Sequence, residues 1–268
     1  MLRIGRKISR AIHKGLTNQD AVEVVEVDGV RNLYLGSDTV QSAMRLKAPF
    51  DLELAYSRGM MMFLLFAYRY EKVLLIGLGG GSIPKFLHRY LPGISTKVIE
   101  INPEIIRIAR SHFYMPENDN QLEVIEADGV AYLQENPNSA EVLLLDIFDS
   151  QGVPPEMYSQ KFFDTCSEAL KLDGMMAVNL WGSDKNFDVY LQRIEESFHG
   201  RVLILRTGRP GNIVVFGFRR TPRDLRWASL RERAKLLEAE YKIEFLEFVE
   251  KLRDHNPSSS NRLILDAD

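Results

Sequence analysis

Apolar and polar positions divide the chain into segments with different periods. From Ala21 to Met44 they alternate, as in Ala-Val-Glu-Val-Val-Glu-Val and Val-Arg-Asn-Leu-Tyr-Leu, with breaks at Asp28-Gly29 and Gly36-Ser37. A period of two interrupted by glycine turns predicts a short antiparallel meander. After the linker at Pro49, the run from Gly59 to Tyr68 reads as a buried helix with Met60, Met61 and Met62 as core filler. Strand-like runs then alternate with helical ones: 72–76, 97–101, 122–126, 141–146 and 174–180, with helices starting at Pro84, Pro103, near Val130, at Ser159 and about Asp188. Such alternation predicts a doubly wound α/β domain, its mainly parallel sheet covered on both faces. Two further runs, 201–206 and 212–218, joined by Thr-Gly-Arg-Pro-Gly, read as an antiparallel pair.

The charged segment 223–254 brings Leu230, Leu237, Tyr241, Phe245, Phe248 and Leu252 to one side and is expected as a C-terminal helix. Asn256-Pro-Ser-Ser-Ser-Asn breaks it and predicts a flexible tail. The expected organisation is therefore a basic arm or helix over 1–20, the meander over 21–58, the α/β domain over 59–222, and a helix with its tail over 223–268. The N-terminal segment has Arg3, Arg6, Lys7, Arg10 and Lys14 with Ile4, Ile8, Ile12 and Leu16 at helical spacing. A short amphipathic helix or docked arm is the plain reading, and a transit peptide or membrane-surface helix the alternative.

Composition narrows the partners. With 34 Lys and Arg against 37 Asp and Glu, the net charge of -3 gives no electrostatic case for nucleic acid or anionic membrane. No apolar run reaches the roughly 20 residues of a membrane span, so a soluble, cytoplasmic protein is expected. The single cysteine, Cys166, excludes an internal disulfide or a cysteine metal cluster and reads as a small buried side chain. No metal is expected.

The chemistry lies at the strand ends. Val73-Leu-Leu-Ile-Gly77-Leu-Gly79-Gly80-Gly81-Ser-Ile-Pro84 is a buried strand, a glycine turn and a helix start, which brings backbone N–H groups close to an oxygen-rich ligand. Ser82 replaces the last glycine of the dinucleotide fingerprint, which disfavours a dehydrogenase. The next strand ends in Glu100, about 20 residues on, a spacing suited to ribose hydroxyls. The third ends in Glu-Ala-Asp128-Gly129, where Asp128 suits an adenine amino group. After the fourth come Asp146 and Asp149, two carboxylates at the mouth of the sheet that suit a cationic nucleophile.

This set resembles the spermidine synthase family over about Leu33 to Phe218: the glycine turn, the second-strand Glu100, Asp128-Gly129 and Asp146-Ile-Phe-Asp149. The resemblance implies a seven-stranded sheet of the class I S-adenosylmethionine-dependent methyltransferase type and a homodimer. It also implies decarboxylated S-adenosylmethionine or S-adenosylmethionine as cofactor, and a small-molecule amine or other small acceptor. It makes Asp146 the base, Asp149 the orienting acid, and Gln41 and Tyr56 contacts for the nucleoside and the amine.

Two positions depart from the family pattern. Gly80 stands where an Asp is usual, which suggests a backbone amide free for the carboxylate of S-adenosylmethionine. Ser57 and Arg58 stand where amine-binding residues are usual, and Arg58 is expected to repel a polyamine; with Arg45 and Lys47 it suits an acidic acceptor. Trp181 is either a wall of the acceptor pocket or core. The expected activity is aminopropyl transfer to a (poly)amine, with methyl transfer to a small or acidic acceptor and non-catalytic nucleoside binding as alternatives.

Overall fold

The computed structural model describes residues 9–16, 21–66, 70–147, 155–208 and 211–265. The meander forms as β2 (Ala21–Val27), β3 (Val30–Leu35) and β4 (Val40–Arg45), all antiparallel. Asp28 and Gly29 both take positive φ, the mirror-image turn that suits the twist of a two-residue hairpin. A fourth strand, β1 (Ser9–Leu16), pairs with β2 and completes the sheet. The N-terminal segment is therefore extended over these residues, not helical. So short a helix is marginal on its own, whereas the open edge of β2 offers a full row of hydrogen bonds.

The apolar run after Pro49 folds as two short helices, α1 (Ala55–Met60) and α2 (Phe63–Phe66), rather than one. Met60, Met61 and Met62 are all fully buried, as core filler should be.

The central sheet has the order β10-β11-β9-β8-β5-β6-β7. Its strands are β5 (Lys72–Ile76), β6 (Ser95–Glu100), β7 (Leu122–Glu126), β8 (Ala140–Leu145), β9 (Leu170–Trp181), β10 (Val202–Arg206) and β11 (Asn212–Phe218). The first five run parallel, and β11 is antiparallel to both β9 and β10. The intervening helices are α3 (Ser82–Tyr90), α4 (Pro103–Phe113), α5 (Gly129–Glu135), α6 (Gln160–Ala169) and α7 (Phe187–Ser197), with a 3-10 turn at Pro155–Tyr158.

Alternation along each strand sorts the core into two layers. Val73, Leu75, Val142 and Leu144 face α3, α4 and the N-terminal sheet, while Leu74, Ile76, Leu143 and Leu145 face α5, α6 and α7. The chain leaves β5 in one direction through β6 and β7, then returns to β8 on the other side. That reversal opens a crevice at the carboxyl ends of β5 and β8, where ligands of such sheets bind.

The C-terminal segment is two helices, α8 (Trp227–Tyr241) and α9 (Phe245–His255), broken where Lys242 takes a φ of 59°. Folding back on itself lets Phe245, Phe248 and Leu252 reach the core together with Leu230. The expected flexible tail is ordered as far as residue 265: Ser258 bridges to Leu263, Arg262 bridges to Arg226, and Leu263 and Leu265 are buried.

Candidate functional site

The glycine turn after β5 passes so close to β8 that a Cβ on Gly77 would lie 2.3 Å from the Asp146 carbonyl oxygen. Gly77, with φ +92°, is the residue that permits this approach, and Gly79 and Gly81 are also left-handed. The close approach places the turn and the Asp146 side of the crevice within one small volume.

Glu100, the last residue of β6, is half-buried and ties the turn to the start of α4. One carboxylate oxygen accepts from Leu78 N at 2.9 Å and the other from Asn102 N at 2.9 Å. Burial pushes its carboxyl up, against the downward pull of these backbone donors. Beside it Ile101 is an apolar side chain left 65% exposed. Asp128 is exposed and caps α5, its Oδ1 accepting from Ala131 N at 2.9 Å. Gly129 opens that helix, where a Cβ would meet Ile76 at 2.5 Å.

Asp146 follows β8 directly. Tyr56, on α1, donates its hydroxyl to Asp146 Oδ2 at 3.0 Å, and the same hydroxyl lies 3.2 Å from the Gln41 carbonyl oxygen. From β9, Asn179 Nδ2 donates to Asp146 Oδ1 at 3.1 Å. Burial pushes the Asp146 carboxyl up to about 6, although both donors favour its charged form. The Tyr56 hydroxyl is pushed upward too, first by burial and then by the Asp146 charge. The result is an acceptor for one proton, ionised at neutral pH and poised near it. Asp149 lies outside the described residues.

Two expectations from charge are corrected. The Gly80 amide is not free, because it donates to Ser42 Oγ at 2.8 Å, and a Cβ there would meet Ser42 Cβ at 2.9 Å and the Phe113 ring at 3.1 Å. The glycine at this position follows from close packing of β4 and α4 on the turn. Arg58 does not present a bare charge to the crevice. Its Nε lies 2.9 Å from both carboxylate oxygens of Glu244, and its terminal nitrogen donates to the carbonyls of Leu52 and Glu53. Arg45 is likewise paired, with Glu53. The basic cluster inferred for an acidic acceptor is therefore dispersed into ion pairs, leaving Lys47 exposed.

Trp181 is half-exposed at the end of β9, opposite Asn212 in the β11 register. Asn179 and Ser42 are site residues that the sequence reading did not pick out. The signal for Asn179 was present: a lone polar side chain inside Met-Met-Ala-Val-Asn-Leu, 1% exposed. Among the described residues no three His, Cys, Asp or Glu side chains gather as a metal-ligand set, and no helix is long and apolar enough to cross a membrane.

The chain is similar to known proteins of one family. Residues 53–197 match the family described as the spermine/spermidine synthase domain. A polyamine aminopropyltransferase of Chromobacterium violaceum is 37% identical over 96% of this chain and 98% of its own length. A crystal structure of a spermidine synthase in complex with the transition state analogue AdoDATO superposes with a TM-score of 0.70 at 20% identity, covering 90% of this chain and 85% of that one. Human methyltransferase-like protein 13 in complex with SAH shares the fold at a TM-score of 0.62 and 22% identity, covering 77% of this chain and 96% of its own.

Proposed function

Because this chain belongs to the spermine/spermidine synthase family, we propose that it transfers an aminopropyl group from decarboxylated S-adenosylmethionine to a small amine. The single observation that carries the assignment of roles is Asp146, held by Tyr56 and Asn179 at the crevice with its carboxyl near 6. The amine nitrogen attacks the methylene carbon next to the sulfonium. The carbon–sulfur bond breaks with its electron pair going to sulfur, which leaves neutral methylthioadenosine. The proton lost by the new secondary amine goes to Asp146, and Tyr56 orients the carboxylate. Asp149 is assigned to orient the amine.

Glu100 is assigned the ribose hydroxyls, since each of its oxygens retains acceptor capacity beyond its one backbone N–H. The exposed Ile101 offers an apolar face to the base, and Asp128 Oδ2 stays available for the adenine amino group while Oδ1 caps α5. The Gln41 side chain, the turn of Gly77, Gly79, Gly80 and Gly81, and Gly129 at the start of α5 are assigned to the rest. The pairing of Arg58 with Glu244 removes the objection to a polyamine acceptor, and the occupied Gly80 amide removes the argument for S-adenosylmethionine. The reading includes a cytoplasmic homodimer, which light scattering on the purified protein tests for its oligomeric part.

The deciding experiment is mass spectrometry of products after incubation with decarboxylated S-adenosylmethionine or S-adenosylmethionine, each with a mixed pool of diamines, polyamines and metabolite acids. Methylthioadenosine and an amine heavier by one aminopropyl group, from the decarboxylated donor alone, are expected. S-adenosylhomocysteine with a methylated acceptor would overturn the assignment.

A further inference from the structure

Behind Asp146 stands a second amide. Asn212, the first residue of β11, donates from Nδ2 to Asn179 Oδ1 at 2.9 Å, and Asn179 donates in turn to Asp146 Oδ1 at 3.1 Å. An amide carries a donor on one side and an acceptor on the other, and its shape alone does not decide which side faces a neighbour. Turned the wrong way, Asn179 would set its carbonyl oxygen against the carboxylate. As arranged, the two amides form a chain of donors aimed at the Asp146 charge, and such chains reinforce one another in a poorly solvated setting.

Asn212 is itself well anchored. Its carbonyl accepts from both Thr207 N at 3.2 Å and Thr207 Oγ1 at 3.0 Å, and its backbone is in register with Trp181. Asn179 is 1% exposed, which leaves little room for water to replace the lost donor.

We propose that Asn212 is a positioning residue for the proton transfer: by donating to Asn179 it fixes the side of that amide presented to Asp146 and so holds the carboxylate ready to accept. This rests on the reading of Asp146 as proton acceptor given above. Among the described residues Tyr56 from α1 and Asn179 from β9 act on the Asp146 carboxyl, and the Asp146 charge in turn raises the hydroxyls of Tyr56 and of Tyr158 in the 3-10 turn, on which Tyr190 and Asp184 also act. Asn179 and Tyr56 both favour the charged form of Asp146 against the burial that raises it.

The test is the titration of Asp146 in the full-length protein, followed by NMR of side-chain carboxyl carbons after 13C labelling of aspartate, with Asp146→Asn to identify the signal. Asn212→Ala removes the donor without adding charge, and Asn212→Asp keeps the shape while turning donor into acceptor. In Asn212→Ala the midpoint should rise by up to about one pH unit, as Asn179 loses the donor that fixes the side it presents to Asp146, and in Asn212→Asp by more. The acid limb of kcat/KM, measured with decarboxylated S-adenosylmethionine and putrescine, should move with it. A midpoint equal to the wild-type value in both variants would overturn the proposal, even if activity fell. If Asn212→Asp does not fold, Asn212→Ala decides alone. A wild-type protein that titrates near 6 yet makes no aminopropyl product would sink the functional reading, while the NMR titration would still judge Asn212.

Discussion

Arg58 and Glu244 join the helix that carries Tyr56 to the turn between α8 and α9, with Arg58 Nε 2.9 Å from both Glu244 carboxylate oxygens across 186 residues of sequence. Because Arg58 also donates to two carbonyls in the linker before α1, one guanidinium fixes three stretches of chain. Both side chains are roughly a quarter to a third exposed, at 25% and 30%, so the pair is partly screened. Glu244→Gln should cost about 1 kcal/mol, or a few degrees in Tm. The cost should shrink in about 1 M salt. Thermal melts at low and high salt check it, and a loss of equal size in both would mean packing, not charge, holds α1.

Asp146 makes stability and activity pull in opposite directions. Its folded carboxyl titrates at about 6 against an ordinary value of 3.8, so folding favours the protonated form. Wild-type stability should therefore fall as pH rises from about 4 through 6 and level off above, by at most about 3 kcal/mol. Asp146→Asn cannot titrate and should lack this decline, so its stability relative to wild type should improve with rising pH. Its turnover should drop by about a hundredfold to ten-thousandfold, the range for losing a general base. Urea unfolding at pH 4.5 and 7.5, with initial rates, tests both halves.

The strands of the central sheet were legible because runs such as Lys-Val-Leu-Leu-Ile are buried on both faces, and Glu100 and Asp146 were legible because they end such runs. Other features carried no unambiguous local signal. Ile8, Ile12 and Leu16 are four apart, a spacing that places side chains on one face of a helix and equally on one face of a strand, and only the open edge of β2 decides for β1. The break at Lys242 puts a lysine in a left-handed conformation that nothing in its neighbours announces. Arg58 was expected to repel a polyamine because its partner, Glu244, is so distant in sequence that spacing gives no hint of it. Asp128 was read as a ligand from its place after β7, a place that is also the N-cap of α5.

Gly80→Asp tests whether the turn has room for a carboxylate. The new Cβ would meet Ser42 Cβ at 2.9 Å and the Phe113 ring at 3.1 Å, and neither is the far end of a flexible chain. The substitution should cost roughly 1 to 3 kcal/mol, as overpacking does, and adding Ser42→Gly should recover part of that loss. Neither variant should switch the donor preference between S-adenosylmethionine and its decarboxylated form. Melting temperatures with product analysis decide, and simple additivity of the two substitutions would sink the steric account.

Lys85 gives the last test, because it is a buried amine with no carboxylate partner among the described residues. It is 1% exposed on α3, and its Nζ donates to Phe113 O at 2.6 Å and Pro49 O at 2.9 Å, close to Met44 Sδ. It thus ties α3 to the end of α4, the linker and β4, directly behind the glycine turn. Burial lowers its titration from 10.5 to about 8, so the fold prefers the neutral amine. The unfolded chain holds its proton up to about 10.5, so between pH 8 and 10.5 it binds more protons than the native state and stability must rise with pH across that window. The rise is bounded at about 3 kcal/mol. Lys85→Met fills the same space but cannot titrate and leaves two carbonyls without a donor, so it should be less stable throughout and should lose that rise. Comparing the two proteins by denaturant unfolding at pH 7.5 and 10 cancels the contribution of the tyrosines common to both. If the gap between them did not widen at pH 10, Lys85 would have to be charged in the fold, with water reaching its amine.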